Sequence, residues 1–185
     1  MKKITKKINK QFEHRHFIVR VISYSFYEAL LGAEGTASVE ITDLKNGDKG
    51  TVQALGNKFG SISMPPYISL DGDDRTGESA EGENLRIEGN QISNIKRVLV
   101  YTFIYDGVAN WRDADAIVTI TSKNSEDLII KPDSFDSQYT MFAIALIENV
   151  NDEAFSIEKI AQYYRNHIEL DRAFHWGLNW RPGRK

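Results

Sequence analysis

The sequence predicts a mainly β protein, a β-sandwich of two packed sheets with one or two short helices. Short runs of β-branched and aromatic residues recur along the chain, for example at residues 98–105 and 116–121. Turn signals separate these runs, among them Asn46-Gly47 and Asp106-Gly107. Helical spacing of apolar residues is confined to short segments. Many short strands divided by turns are typical of a sandwich.

The strands are predicted, in chain order, at residues 17–24, 36–42, 50–55, 68–70, 98–105, 116–121, 127–131, 141–148 and 155–163. Residues 98–105 are almost all apolar or aromatic, which favours a strand buried on both faces. The segment 141–148 is ambiguous, because its Ala and Leu residues also suit a helix. Helices are predicted at residues 26–31, before Gly32, and at residues 166–174, where Gly177 is a closing signal.

The composition excludes several kinds of site. The chain has 185 residues, 41% hydrophobic and 26% charged, with a formal net charge of −3, as expected for one globular domain. There is no cysteine, which excludes disulfides, thiolate zinc sites, iron–sulfur clusters and a cysteine nucleophile. That absence also fits a reducing compartment. No apolar run has the length of a membrane-spanning helix, and the mild acidity gives no overall argument for a nucleic-acid partner.

Charge is unevenly distributed along the chain. Residues 1–20 contain seven Lys and Arg against one Glu, whereas residues 71–90 contain seven Asp and Glu against two Arg. We divide the chain into a basic N-terminal segment, residues 1–35, and a domain at residues 36–185. We interpret the basic start as a frayed terminus; the alternative is an arm that binds phosphates or anionic lipids. Because Arg20 and Glu28 interrupt the apolar stretch that follows, we expect no secretory signal.

The acidic segment from Asp71 to Asn84 is a candidate site for a divalent cation. Its possible oxygen ligands are the carboxylates of Asp71, Asp73, Asp74, Glu78, Glu81 and Glu83 and the neutral side chains of Thr76, Ser79 and Asn84. Calcium takes six to eight oxygen ligands, and a dication relieves the repulsion among carboxylates. The spacing is not that of an EF-hand, since its sixth position is Thr76 and its twelfth is Gly82. Asp43, in an earlier turn, is a further ligand if the fold brings the two loops together. From spacing alone, a cation site and a solvated acidic loop explain the pattern equally well.

Several separated motifs resemble one known family. They are GTVQALGNKFG at residues 50–60, PPYISL at 65–70, DGDDRTGE at 71–78, GENL at 82–85, IKRVLVYTFIYDGVANW at 95–111 and ELDRAFHWGLNWRPGRK at 169–185. Their types and order resemble the TerD-type tellurium-resistance and stress-response family, over roughly residues 43–185.

The resemblance implies a cytoplasmic β-sandwich that binds Ca²⁺ at acidic loops and acts with other tellurium-resistance proteins. It further implies a protein that is not an enzyme. Asp73 and Asp74 match the family's first acidic pair, Thr76 its Thr-Gly, and Glu83-Asn84 its second acidic cluster, with Asp71 a plausible addition. The family's upstream Asp-Leu-Asp strand has no exact counterpart here. Glu40 and Asp43 stand in its place, and residues 1–35 do not match the family.

These observations together predict a non-enzymatic, calcium-binding stress-response protein whose ion-ordered loop docks a partner protein or a small anionic ligand. Two alternatives stay open: a metal-dependent enzyme acting on phosphoesters, and a nucleic-acid or membrane adaptor that uses the basic arm. Of the remaining candidates, we favour structural roles for His167, His175, Trp111, Trp176 and Trp180 over metal binding or base stacking. We interpret His14 and His16 as a surface pair, and Asp113 and Asp115 as turn residues or a second, weaker cation patch.

Overall fold

The computed structural model of the chain is a sandwich of two antiparallel sheets. It describes residues 5–9, 16–23, 35–71, 83–104, 111, 116–121, 126–132, 136 and 138–181; side chains are described from Leu44 onward, except those of Leu55, Glu83 and Ala116. None of the helices in these residues is long and apolar enough to cross a membrane.

The strands are β1 Thr5–Asn9, β2 His16–Ser23, β3 Gly35–Leu44, β4 Lys49–Val52, β5 Gly60–Ser61, β6 Ile68–Leu70, β7 Glu83–Glu88, β8 Ile95–Ile104, β9 Ala116–Thr121, β10 Leu128–Ile130, β11 Met141–Val150 and β12 Ala154–Tyr164. Short 3-10 turns lie at Leu55–Asn57 and Gly89–Asn94, and helix α1 spans His167–Phe174. In the described part of the chain, sheet A has the strand order β1-β12-β11-β8-β3-β4 and sheet B the order β10-β9-β2-β7-β6-β5.

Strand β8 lies in the middle of sheet A, and every residue from 98 to 104 is buried. Alternate side chains point to opposite faces of a strand. Val98 and Val100 therefore pack into the core between the sheets, while Leu99, Tyr101 and Phe103 pack into a second apolar cluster on the outer face of sheet A. The prediction of a strand buried on both faces is confirmed for these residues.

A C-terminal cap, formed by α1 and residues 175–181, covers that outer face. Its inner side chains include Leu170 and Trp176, both almost fully buried. The carboxylate of Asp171 holds the cap together: it accepts hydrogen bonds from the backbone N–H of Gly177 at 2.8 Å, that of Leu178 at 2.9 Å and the indole N–H of Trp180 at 2.9 Å. A buried carboxylate with three donors is a stable arrangement, because its lone pairs are satisfied.

Two basic side chains of sheet A fasten the cap to the sheet. The Arg97 guanidinium lies 3.6 Å from the ring centroid of Trp176 and donates to the carbonyl oxygens of Phe174 at 2.9 Å and His175 at 3.3 Å. Lys49 donates to the carbonyl oxygen of Trp176 at 3.0 Å. These donors satisfy carbonyl groups that the end of α1 leaves without a helical partner, and cations are favoured at a helix C-terminus.

The predicted fold class is confirmed, and most predicted strands are found within a few residues. Segment 141–148 is a strand, because β11 pairs along its length with both β8 and β12. The Asn46-Gly47 turn is confirmed, and the chain reverses there between β3 and β4. Segment 50–55 is partly wrong, since β4 ends at Val52 and a 3-10 turn follows. The Asp106-Gly107 turn and the helix at 26–31 lie outside the described residues.

Helix α1 confirms the predicted C-terminal helix. The Asn166 side chain caps its N-terminus by accepting from the backbone N–H of Glu169 at 2.9 Å. Its end differs from the prediction, because His175, with φ 56°, is the left-handed C-cap residue instead of Gly177. The backbone N–H groups of His175 and Trp176 reach back to the carbonyls of Arg172 and Asp171, so the helix closes before the glycine.

The interpretation of the basic start as a frayed terminus is wrong for the strands it contains. Strand β1 pairs with β12 at the edge of sheet A, and β2 lies inside sheet B between β7 and β9. Lys6 and Lys7 thus lie on an edge strand, where lysines discourage pairing with other chains. Composition alone predicts that a lysine-rich segment is exposed to water. It does not report the strand pairing, because the partner strand lies about 150 residues away along the chain.

Gly60 provides a test of how closely β5 approaches its neighbours. Its φ is +72°, and an added Cβ would overlap the carbonyl oxygen of Ile68 and crowd the side chain of Val52. We expect Gly60→Ala to lower the free energy of unfolding by about 3 kcal/mol or more. The control Gly47→Ala, at φ +93° in open space, should lose only about 1 kcal/mol. Urea titration of both variants measures the difference, and equal losses would contradict the predicted overlap.

Candidate functional site

The candidate site is the acidic loop between strands β6 and β7 of sheet B. Strand β6 ends at Leu70 and β7 begins at Glu83, and the two strands pair in register with Leu70 opposite Leu85. Both leucines are buried in the core. The apolar pair therefore fixes the position at which the loop leaves the sheet and the position at which it returns.

Asp71 and Asn84 continue this pairing by one more step and close the base of the loop. The backbone N–H of Asp71 donates to the Asn84 carbonyl oxygen at 3.1 Å. In return, the backbone N–H of Asn84 donates to Asp71 Oδ1 and the Asn84 side-chain amide donates to Asp71 Oδ2, both at 2.8 Å. Asn84 is buried, with 4% of its surface exposed. We call this pair of residues the loop base.

Both carboxylate oxygens of Asp71 have partners at the loop base. Its two carboxylate oxygens each accept a donor from Asn84, and Arg86 Nη2 lies 3.5 Å from Oδ2. Hydrogen bonds to an ionised acceptor are stronger than those between neutral groups. The ion pair with Arg86 adds little by itself, because both side chains are partly exposed to water.

The structure brings only some of the predicted ligands together. Asp71 and Asn84 are in direct contact, and Glu83 begins β7 beside them with its backbone in register with Val21. Asp43 lies on the other sheet, where β3 places it opposite Lys49 and Arg97. Asp73, Asp74 and Thr76 lie outside the described residues. Among the residues that are described, no group of three or more acidic, His or Cys side chains could hold a metal ion. The metal site stays a prediction.

The tryptophans have the structural roles that the sequence favoured. Trp111 and Trp176 are each 1% exposed, and the Trp111 indole donates to the Tyr139 carbonyl oxygen at 2.6 Å. Trp180 packs in the C-terminal cap. His167 is half-buried at the start of α1, whereas His175 is exposed at its end. His14, Asp113 and Asp115 lie outside the described residues, and for His16 only the backbone is described.

Two features of the structure have no clear signal in the sequence. One is the C-terminal cap, because the sequence alone predicts that its central residue, Asp171, is an ordinary exposed residue of a helix. The other is a cavity of about 210 Å³ beside β4, lined mainly by Leu44, Val52, Pro65 and Pro66, with Asp48 and Lys49 among its other walls. Both depend on contacts between residues far apart in the chain, which local spacing does not report.

One curated relative matches the sequence. Over 143 residues the chain is 42% identical to the tellurium resistance protein TerA of an Alcaligenes species. The match covers 77% of this chain and 42% of that protein, so the chain spans less than half the length of this relative. No family model matches the chain.

Two solved structures share the fold. A homologue of the telluride resistance protein TerD from Streptomyces coelicolor A3(2) has a TM-score of 0.63 at 17% identity, covering 86% of this chain and 95% of that one. SAV2460, a protein of unknown function, has a TM-score of 0.64 at 15% identity, covering 82% and 91%. At these identities the likeness shows the fold alone. Together with the sequence relative, it confirms the resemblance to the TerD-type family, within which the motifs look most like TerA.

The loop base can be tested by removing its acceptor. Asp71→Ala takes away the acceptor of two Asn84 N–H groups, one of them buried, and should lower the free energy of unfolding by about 1–3 kcal/mol. Asp71→Asn should lose less, because its carbonyl oxygen can still accept one donor. Asp127→Ala, at an exposed position, is the control. A urea titration in which Asp71→Ala matches Asp127→Ala would contradict the stabilising role.

Proposed function

We propose that this chain, a relative of TerA with the fold of the TerD homologues, is a calcium-binding tellurium-resistance protein and not an enzyme. Its acidic loop would take up Ca²⁺, become ordered, and present a surface that docks another tellurium-resistance protein or a small anionic ligand. The expected location is the cytoplasm. The 42% identity to a tellurium resistance protein supports the biological role, and the loop base supports the mechanism.

The closed loop base is the observation that carries the proposal. Asp71 and Asn84 hold the two ends of the loop against each other, so the acidic side chains between them are confined to a short, closed segment. Carboxylates confined in this way repel one another, and a divalent cation relieves the repulsion. Closing the loop in advance also reduces the chain entropy that an ion must overcome on binding.

The chemistry of the donors fits a hard cation. Every candidate ligand in the segment offers oxygen, which calcium prefers, and the chain has no cysteine to favour a softer metal. Asp73, Asp74, Thr76 and Glu83 are the proposed ligands inside the closed segment. Asp71 and Asn84 lie at its base, and Asp43 requires an approach from the other sheet. When bound, the ion supplies a positive charge that anchors an anionic group of the docked molecule.

The two alternatives have less support in the described residues. A phosphoester enzyme needs a general base close to the metal. At the loop base the one acidic side chain described, Asp71, is bound to Asn84 and lies beside Arg86. An adaptor that uses the basic arm needs its lysines for a ligand. The edge position of β1 already explains Lys6 and Lys7 as a guard against unwanted strand pairing.

Calcium binding has a direct thermodynamic signature. A ligand that binds only the folded state at one hundred times its Kd raises the free energy of unfolding by about 2.7 kcal/mol. We therefore expect calcium to raise the melting temperature of the full chain and to release heat in isothermal titration. The double variant Asp73→Asn/Asp74→Asn should lose both effects.

A matched control separates ligand loss from a change in net charge. Glu126→Gln/Asp127→Asn removes the same charge at exposed positions and should keep the full response to calcium. If wild-type protein melts at the same temperature in chelator and in millimolar calcium, the proposed function is wrong. Turnover of a phosphoester that is lost in Asp73→Asn/Asp74→Asn would instead favour the enzyme.

A further inference from the structure

His167 lies where three parts of the molecule meet. It is the first residue of α1, and its ring packs among aromatic rings. The ring centroids lie 4.7 Å from Trp180 in the far end of the C-terminal cap, 4.9 Å from Phe103 and 5.8 Å from Tyr101, both on β8. One imidazole thus joins the start of the helix, the end of the chain and the outer face of sheet A.

The acidic groups of the cap make hydrogen bonds elsewhere. On the helix, Glu169 accepts the backbone N–H of Arg165 at 2.8 Å, and Asp171 accepts three donors within the cap. From β12 the titratable group is Tyr164, which packs against Phe174; burial and the nearby Glu169 raise its pKa.

On the sheet side, the titratable residue whose ring contacts the imidazole is Tyr101. Arg97 and Lys49 are bound to the carbonyl oxygens at the end of α1 and just beyond it. The ring contacts of His167 are therefore aromatic, and a proton there introduces a positive charge into an apolar junction.

The cap is built to move as one unit. The three hydrogen bonds of Asp171 all run to groups inside the cap, so they hold whether or not the cap rests on the sheet. Among the described residues, Arg97 and Lys49 make polar connections between sheet A and the cap, and Leu99, Tyr101 and Phe103 make apolar contacts with it. Separation of the cap from the sheet leaves the strand pairing of both sheets intact.

We propose that His167 is a proton-sensitive latch, whose protonation releases the C-terminal cap from the outer face of sheet A while the sandwich stays folded. The latch is independent of the proposed calcium site, which lies on sheet B. It raises the fraction of molecules in which the apolar face around Leu99, Tyr101 and Phe103 is uncovered as the pH falls from neutral to acid.

The direction and size of the effect follow from proton binding. Burial lowers the pKa of His167 from 6.5 to about 4. The released ring regains its ordinary value, so the open state binds more protons between these two pH values. The free energy that favours the closed cap has its full value above pH 6.5 and decreases as the pH falls towards 4. Between pH 7.5 and pH 5 the open population should rise about thirtyfold.

Amide hydrogen exchange on the full chain tests the latch. Exchange is measured by mass spectrometry at pH 7.5 and pH 5, with rates corrected for the intrinsic pH dependence. We expect the opening of residues 167–181 to increase about thirtyfold, while β8 and β11 keep their protection. His167→Phe keeps an aromatic ring without a titrating group and should abolish the increase. His175→Asn removes the exposed histidine of the same cap and should preserve it.

Three results would overturn the latch. The first is equal pH dependence in the cap and in β8, which would mean that the whole domain unfolds. The second is an unchanged increase in His167→Phe. The third does not require that this variant folds: NMR titration of wild-type protein should show a pKa of His167 well below 6.5, and a midpoint at the ordinary value for histidine would refute the proposal.

Discussion

Strand β8 is buried on both faces, and much of sheet A is arranged around this requirement. An antiparallel sheet in a sandwich usually leaves one face to water. Here the outer side of β8 carries Leu99, Tyr101 and Phe103, so that face also needs a cover. The C-terminal cap supplies it, and the polar interactions of Asp171, Arg97 and Lys49 allow a short segment of chain to do so. Without the cap, this protein would expose an apolar patch at the centre of sheet A.

The acidic loop depends instead on how its two ends are fixed. Its ends are fixed by the core pair Leu70 and Leu85, and Asp71 and Asn84 add one further polar step. Carboxylates gathered between fixed ends repel each other, which sequence composition alone already implies. What the structure adds is that the ends are closed together in advance. Closed ends confine the acidic residues to one short segment of chain, and a cation is the kind of ligand that relieves the resulting repulsion.

The sequence predicts local features of this fold well and long-range features poorly. Alternation and β-branched residues locate β8, β9 and β11, and the Asn46-Gly47 signal locates a hairpin, because each pattern lies within a few neighbouring residues. The pairing of β1 with β12 joins the two ends of the chain, so no local pattern reports it. Asp171 is missed for a different reason: its partners lie only 6, 7 and 9 residues further along the chain, but no periodic pattern shows that the segment after a helix will fold back onto one of its carboxylates.

The candidate site was likewise predicted from local sequence features only in part. Oxygen-rich composition between Asp71 and Asn84 identifies the segment, and the family motifs identify the individual ligands. The contact between Asp71 and Asn84 follows from strand register, which the spacing of the acidic residues does not contain. Asp43 shows the converse, because its nearness in sequence to a turn gave no information about which sheet it joins.

The two sheets also separate the two proposed responses. The proposed calcium site lies at the end of β6 on sheet B and would stabilise the domain as a whole, whereas the proposed protonation of His167 would change only the local opening of the cap on sheet A. Effects at distant, independent positions add, so either can be measured without disturbing the other.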